Sequence, residues 1–278
     1  MEEMKDQESV ENESVDTEAA GDEEYELSHT DKLVGVITEP STTFSAMAKF
    51  PPKTTDWIIP LILMIVVASL VQVVMMSNEA IKYAAIEKQM EAVEKQLDEA
   101  VANGDLTQEQ ADQRLEQTRQ FFENSGMGLM FSIIGVVVFS IILFFIIAGI
   151  YYLIAKFGLK GDGTYSSAMS AYGLPYYVII LQLIVMVIGA LALNQMMTGT
   201  SIADFMGMEK TTLLGFTLAK LDPFTIWFYA LVSIGLAKMF QSKNTQKYFI
   251  AIFGLWLVFN YLLFFLSKSV SFLGGFIR

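Results

Sequence analysis

The sequence predicts an all-α polytopic membrane protein: a five-helix transmembrane bundle with an inserted polar helical hairpin and short interfacial helices. Of 278 residues, 53% are hydrophobic and only 17% charged, with a positive mean hydropathy of +0.45, unlike a water-soluble domain. Five long runs free of charged residues recur, and a bilayer core of about 30 Å asks for roughly 20 apolar helical residues per crossing. The acidity is local. Residues 1–31 hold 13 Asp/Glu against Lys5, a net of −12 that equals the whole chain's and leaves 17 acids balanced by 17 bases beyond it.

That tail, residues 1–31, has too little apolar surface to offset the entropy of ordering and is expected to be disordered. Its Met-Glu-Glu-Met start is the opposite of a secretory signal. Span one is therefore expected to serve as the insertion signal. Residues 32–56 follow as an interfacial amphipathic segment, in which Pro40 opens a helix carrying Phe44, Met47 and Ala48 on one face.

The spans follow from the uncharged runs. Twenty-two uncharged residues separate Asp56 from Glu79, giving span one at 57–76, and 32 separate Glu123 from Lys156, giving span two at 129–153. Within the 41 between Asp162 and Asp204 lies span three, 174–193. Only 15 lie between Asp222 and Lys238, yet Asp222-Pro223 is a strong helix start and Lys238 can snorkel, so 223–240 is read as a short span four. Twenty more separate Lys247 from Lys268, giving span five at 248–266, followed by a C-terminal tail at 267–278.

Three connections carry structure of their own. Residues 77–128 read as a polar helical hairpin: Ile86, Met90, Val93, Leu97 and Val101 form an apolar stripe, and Ala111, Leu115 and Phe122 continue it on the return. Asn103-Gly104 stops the first arm, and Thr107 with Gln110 makes a capping box for the second. Eleven acids against five bases give the hairpin a net charge of −6. It serves either as a self-packed pair or as a docking surface for a protein partner. Residues 154–173 read as a Gly-rich turn and interfacial helix, with Tyr165, Tyr172, Tyr176 and Tyr177 as an interfacial belt. Residues 194–222 read as an interfacial or re-entrant connection.

Several chemistries are excluded. No basic stripe is present to bind nucleic acid, and cysteine is absent. The single histidine, His29, rules out a multi-histidine metal site within the chain and, lying in the acidic tail, is not placed to serve a catalytic triad. The spans hold no Asp, Glu, His or Arg in their interiors, so neither an ion relay nor intramembrane catalysis has its groups. No enzyme activity, cofactor or metal is expected. Gln72, Gln182 and Asn260, with Asn194 at the end of span three, are the intramembrane amides: they act as interhelical contacts or, if they line one cavity, as a polar path. Small residues such as Ala230, Ser233 and Ala237 allow close packing within the bundle or between copies in a homo-oligomer.

Three stretches together resemble the YIP1 family, in its prokaryotic form. EPSTTFSAMAKFPP is similar to the family's approach to span one. GLKGDGTYSSAMSAYGLPYYV resembles its Gly-rich turn and the start of span three, through Gly161, Gly163, Tyr165, Gly173 and Pro175. LDPFTIWFYALVSIGLAK is similar to the start of span four, through Asp222, Phe224 and Trp227. The resemblance covers residues 31–266, with the hairpin as an addition. It implies a five-span bundle with a cytosolic N-terminus; the bases themselves divide nine to nine between the two sides, and only the concentration of Lys238, Lys243 and Lys247 around one short turn leans the same way. The C-terminus would then be extracytoplasmic, in a bacterial inner membrane. The implied role is that of a scaffold or adaptor in membrane organisation or trafficking-like processes, with membrane lipids and a protein partner met by the 79–124 hairpin or the acidic tail. The alternative is a permease or channel subunit for a neutral or lipidic substrate, using a groove lined by Gln182, Asn194 and Asn260.

Overall fold

The computed structural model describes residues 25–123 and 125–268, and every regular element among them is helical. In order these are α1 (His29–Thr38), α2 (Pro40–Met47), α3 (Thr55–Ser77), α4 (Glu79–Ala102), α5 (Gln108–Glu123), α6 (Ser125–Leu153), α7 (Tyr165–Gly173), α8 (Tyr176–Leu193), α9 (Ile202–Phe205), α10 (Leu213–Leu218), α11 (Pro223–Met239) and α12 (Thr245–Ser267). Four stretches are long and apolar enough to cross a membrane: Thr55–Ser77, Gly126–Gly158, Tyr165–Leu193 and Thr245–Ser267. The fifth apolar helix, α11, has 17 residues, about 25 Å at 1.5 Å per residue, and falls short of that length. The expected disorder of residues 1–24 and the tail beyond 268 lie outside the described residues.

The N-terminal segment departs from expectation. Helix α1 begins at His29, inside the stretch read as disordered tail, because Ser28 and Asp31 form a reciprocal capping box that satisfies the first amides. Helices α1 and α2 are also packed into the bundle through one face. Val36, Phe44 and Met47 are buried in the main core, where α2 packs on α11. A buried ion pair fastens this cap: Lys32 Nζ lies 2.8 Å from Asp56 Oδ1 at the start of α3.

His29 adds a pH-sensitive contact, its Nε2 standing 2.7 Å from Tyr177 Oη on α8. Partial burial holds its pKa below the ordinary 6.5, with Asp56 opposing that shift and Lys32 adding to it. The neutral ring is thus the form that the fold prefers. As pH falls through 6.5 the unfolded chain takes up the proton first, so stability is expected to decline below pH 6.5 and to level off below the lowered folded-state value. Thermal unfolding between pH 5 and 8 checks this, since His29→Asn should flatten that part of the profile.

Helix α7 makes the second correction. Instead of an interfacial helix it is an interior one, buried from Ser167 to Gly173 and packed between α3, α6 and α11. The expected tyrosine belt turns inward with it: Tyr172, Tyr176 and Tyr177 are buried. The cause is Gly173. A Cβ there would lie 2.7 Å from Trp57 Cα, so only glycine lets the α3 backbone come this close.

Helices α4 and α5 fold back on each other beyond α3 and α6. Their tight turn has Gly104 at φ +80°, and Thr107 and Gln110 exchange backbone-to-side-chain bonds at the start of α5. Met90 and Ala111 are buried, whereas Ile86, Val93, Leu97, Val101 and Leu115 of the apolar stripe are half-buried. The base of α4 is anchored by Ile81, fully buried with Val71, Met75, Ala190 and Met197.

Candidate functional site

One cluster of polar groups gathers at the start of α11, with contributions from α8 and α12. Both helices pack on α11, and residues 194–222 connect α8 to α11 through α9 and α10. Phe216 of α10 stacks on Phe264 of α12 at 4.5 Å between ring centroids, while Phe205, Met206, Leu213 and Leu214 stay exposed. Beneath this connection lies a chamber of about 250 Å³ whose walls include Gln182, Asp204, Lys210, Lys220, Asp222 and Asn260.

Asp222 organises one wall. Its Oδ1 accepts from the backbone N–H groups of Phe224 (2.9 Å) and Thr225 (3.1 Å), capping α11. Its Oδ2 accepts from Gln182 Nε2 (2.9 Å), Thr200 Oγ1 (2.8 Å) and the Thr200 amide (3.3 Å). Five donors therefore converge on one buried carboxylate, which explains how it is accommodated at this depth.

Asp204 and Lys210 form a second pair, with Nζ 2.7 Å from Oδ1. Burial raises the Asp204 pKa, but hydrogen bonds from Lys210 and Ser201 outweigh it, and the net position is below the ordinary carboxylate value. Lys220 lies opposite. Its Nζ donates to Asn260 Oδ1 at 2.6 Å and sits 4.2 Å from the Phe216 ring centroid. Burial, with repulsion from Lys210 added, lowers its pKa to about 8.

Of the four amides singled out in the sequence, the chamber thus unites Gln182 and Asn260. The other two lie elsewhere. Gln72 Nε2 donates to Ser132 Oγ at 2.6 Å, joining α3 to α6, and Asn194 Oδ1 accepts from Asn78 Nδ2 at 2.9 Å, joining the end of α8 to the α3–α4 junction. Both are contacts between neighbouring segments.

The motif residues divide in the same way. Gly161 and Gly163 press the turn after α6 against the α11–α12 turn, where a Cβ on Gly163 would stand 2.8 Å from the Phe240 ring and 3.0 Å from the Met239 carbonyl oxygen. The Asp162 amide completes this strut by donating to Phe240 O at 2.9 Å. Tyr165 Oη donates to Phe145 O, and Pro175 stands at the start of α8. Phe224 and Trp227 pack on the main core. Asp222 alone among them lines the chamber.

Lys220, Lys210 and Asp204 were missed in the sequence because they stand in a connection read as interfacial. Only Asp204 had a local sign, the Ser201-x-x-Asp204 capping box.

Toward the α1–α2 end, aromatic rings from five helices pack in succession. Trp57, Phe144, Tyr172, Tyr176 and Phe228 come from α3, α6, α7, α8 and α11, with successive centroids 5.2–5.8 Å apart. Among the described residues there is no group of acidic or histidine side chains placed to hold a metal ion.

No curated protein and no solved structure gives a significant match to this chain. The family model described as the Yip1 domain matches residues 34–266, from α1 through α12 and across the hairpin. With that match over most of its length and its apolar helices, the chain belongs to the Yip1 family of integral membrane proteins.

Proposed function

We propose that this protein is a non-enzymatic membrane scaffold of five spans, with a cytosolic N-terminus in a bacterial inner membrane and the acidic hairpin presented on the opposite side to a basic protein surface. The observation that carries this reading is the run of aromatic contacts across five helices, which fills the bundle interior with packed rings rather than polar groups. A transport path needs polar groups along its whole length, whereas here the four amides divide between one chamber and two separate contacts, Gln72 with Ser132 and Asn194 with Asn78. Helix α11 serves as the short fifth span because residues 194–222 make up the missing thickness above it. The hairpin supplies reach: 24 residues of α4 extend about 36 Å.

A permease reading draws on the meeting of Gln182 and Asn260 in one chamber. Two measurements separate the readings. In proteoliposomes the scaffold is expected to pass ions and small neutral solutes no faster than empty vesicles. In native membranes, crosslinking with residues 84–123 replaced by a short Gly/Ser turn is expected to lose a specific basic partner that the intact chain retains. Solute flux above background, together with an unchanged set of crosslinked proteins, would overturn the scaffold reading.

A further inference from the structure

The chamber contains a cation without an ion-pair partner among the described residues. Lys220 lines it with an amide oxygen and an aromatic face as its partners. The nearby carboxylates are occupied. Asp204 accepts from Lys210, Ser201 and Thr198, and Asp222 accepts five hydrogen bonds. An ammonium so placed has given up much of its hydration for weak partners.

Lys210, paired with Asp204, faces the same chamber and repels Lys220, so an anion would be drawn to the Lys220 side of a chamber whose two ammonium groups and two carboxylates balance overall. Space is sufficient. A water needs about 10–15 Å³ of such volume, and the chamber offers about 250 Å³, enough for a tetrahedral oxyanion with solvent. The adjoining surface is apolar: Phe205, Met206, Leu213 and Leu214 are exposed on the connection that roofs the chamber, a setting in which acyl chains would lie beside a headgroup.

We infer that this chamber binds a phosphate group, from an anionic lipid headgroup or as the free ion, with Lys220 and Lys210 as its ligands. The inference is independent of the scaffold reading.

The test is thermal unfolding of the full-length protein in nonionic detergent. One arm adds phosphatidylglycerol or phosphatidylcholine, and the other adds sodium phosphate or sodium chloride at matched ionic strength. A rise in Tm of about 4 °C is expected near saturation, with phosphatidylglycerol if a lipid is the source and with sodium phosphate if the free ion is. Lys220→Met should weaken the apparent affinity at least tenfold, and Lys220→Arg should retain it. Wild-type protein that responds to neither probe overturns the inference, whatever the variants do. So does an equal response to phosphatidylcholine and phosphatidylglycerol, or to chloride and phosphate. If Lys220→Met does not fold, Lys210→Met takes its place, and an unchanged affinity in the folded variant also overturns the inference.

Discussion

Asp56→Ala is expected to be among the most destabilising single substitutions in the chain, costing about 3–5 kcal/mol, the range for stranding one member of a buried ion pair. Lys32 and Asp56 side chains are 5% and 2% exposed, and Asp56 Oδ2 also accepts from the Lys53 amide at 3.3 Å. Without the carboxylate, Lys32 retains Glu26 at 3.9 Å, a distant and half-exposed partner. The expected result is a Tm lower by about 10 °C and faster proteolysis within α1–α2, because the pair fastens that cap to α3. The double variant Lys32→Met/Asp56→Leu should recover most of the loss, since an apolar pair of similar size carries no stranded charge. An Asp56→Ala Tm within about 2 °C of wild type would show that the cap is held by Phe44 and Val36 alone.

Asp222→Ala is expected to come close behind, for a different reason. The substitution removes the cap of α11, worth about 1 kcal/mol, and leaves the Thr200 and Gln182 donors without their acceptor at about 1–3 kcal/mol for each buried orphan. Because Gln182 Nε2 keeps Thr200 Oγ1 as an acceptor at 3.0 Å, the total falls toward the lower end of the roughly 3–7 kcal/mol that these terms span. Asp222→Asn should fall between, since its carbonyl oxygen can still cap α11 while its NH₂ meets donors that need an acceptor. The second consequence is local. Residues 198–222 should exchange amide hydrogens faster in Asp222→Ala, because Thr200 and the start of α11 are held together through this carboxylate. Unchanged protection in that segment, with a normal Tm, would sink the argument.

Locally encoded features were legible. A crossing helix is a run of uncharged residues, readable without knowing its neighbours, and helix starts announce themselves through side chains three residues apart. Asn103-Gly104, Thr107 with Gln110, and Asp222 before Pro223 all act within one turn of their own positions. Even the departure at His29 had such a sign, since Ser28 and Asp31 stand at capping-box spacing.

The amides were legible as polar groups in apolar segments, but their destinations were not. Gln182 reaches Asp222 across 40 positions, whereas Gln72 meets Ser132 and Asn194 meets Asn78. Nothing within a few residues of any of them distinguishes a chamber wall from a helix contact. Lys220 is the sharpest case: in the sequence it is one base in a connection, and it becomes a half-buried cation beside Asn260 only because α10 folds down onto Phe264.

The sequence by itself determined the helical class, the apolar spans, the hairpin turn and the helix caps, because each depends on composition or on contacts within a turn of helix. Only the tertiary structure decided that α7 is interior, that α1 and α2 cap the bundle through Lys32 and Asp56, and that Gln182, Lys220 and Asn260 share one chamber. Those outcomes depend on which helices are neighbours and how closely they approach. That is set by packing between residues far apart in the chain, such as Gly173 against Trp57, which no local pattern encodes.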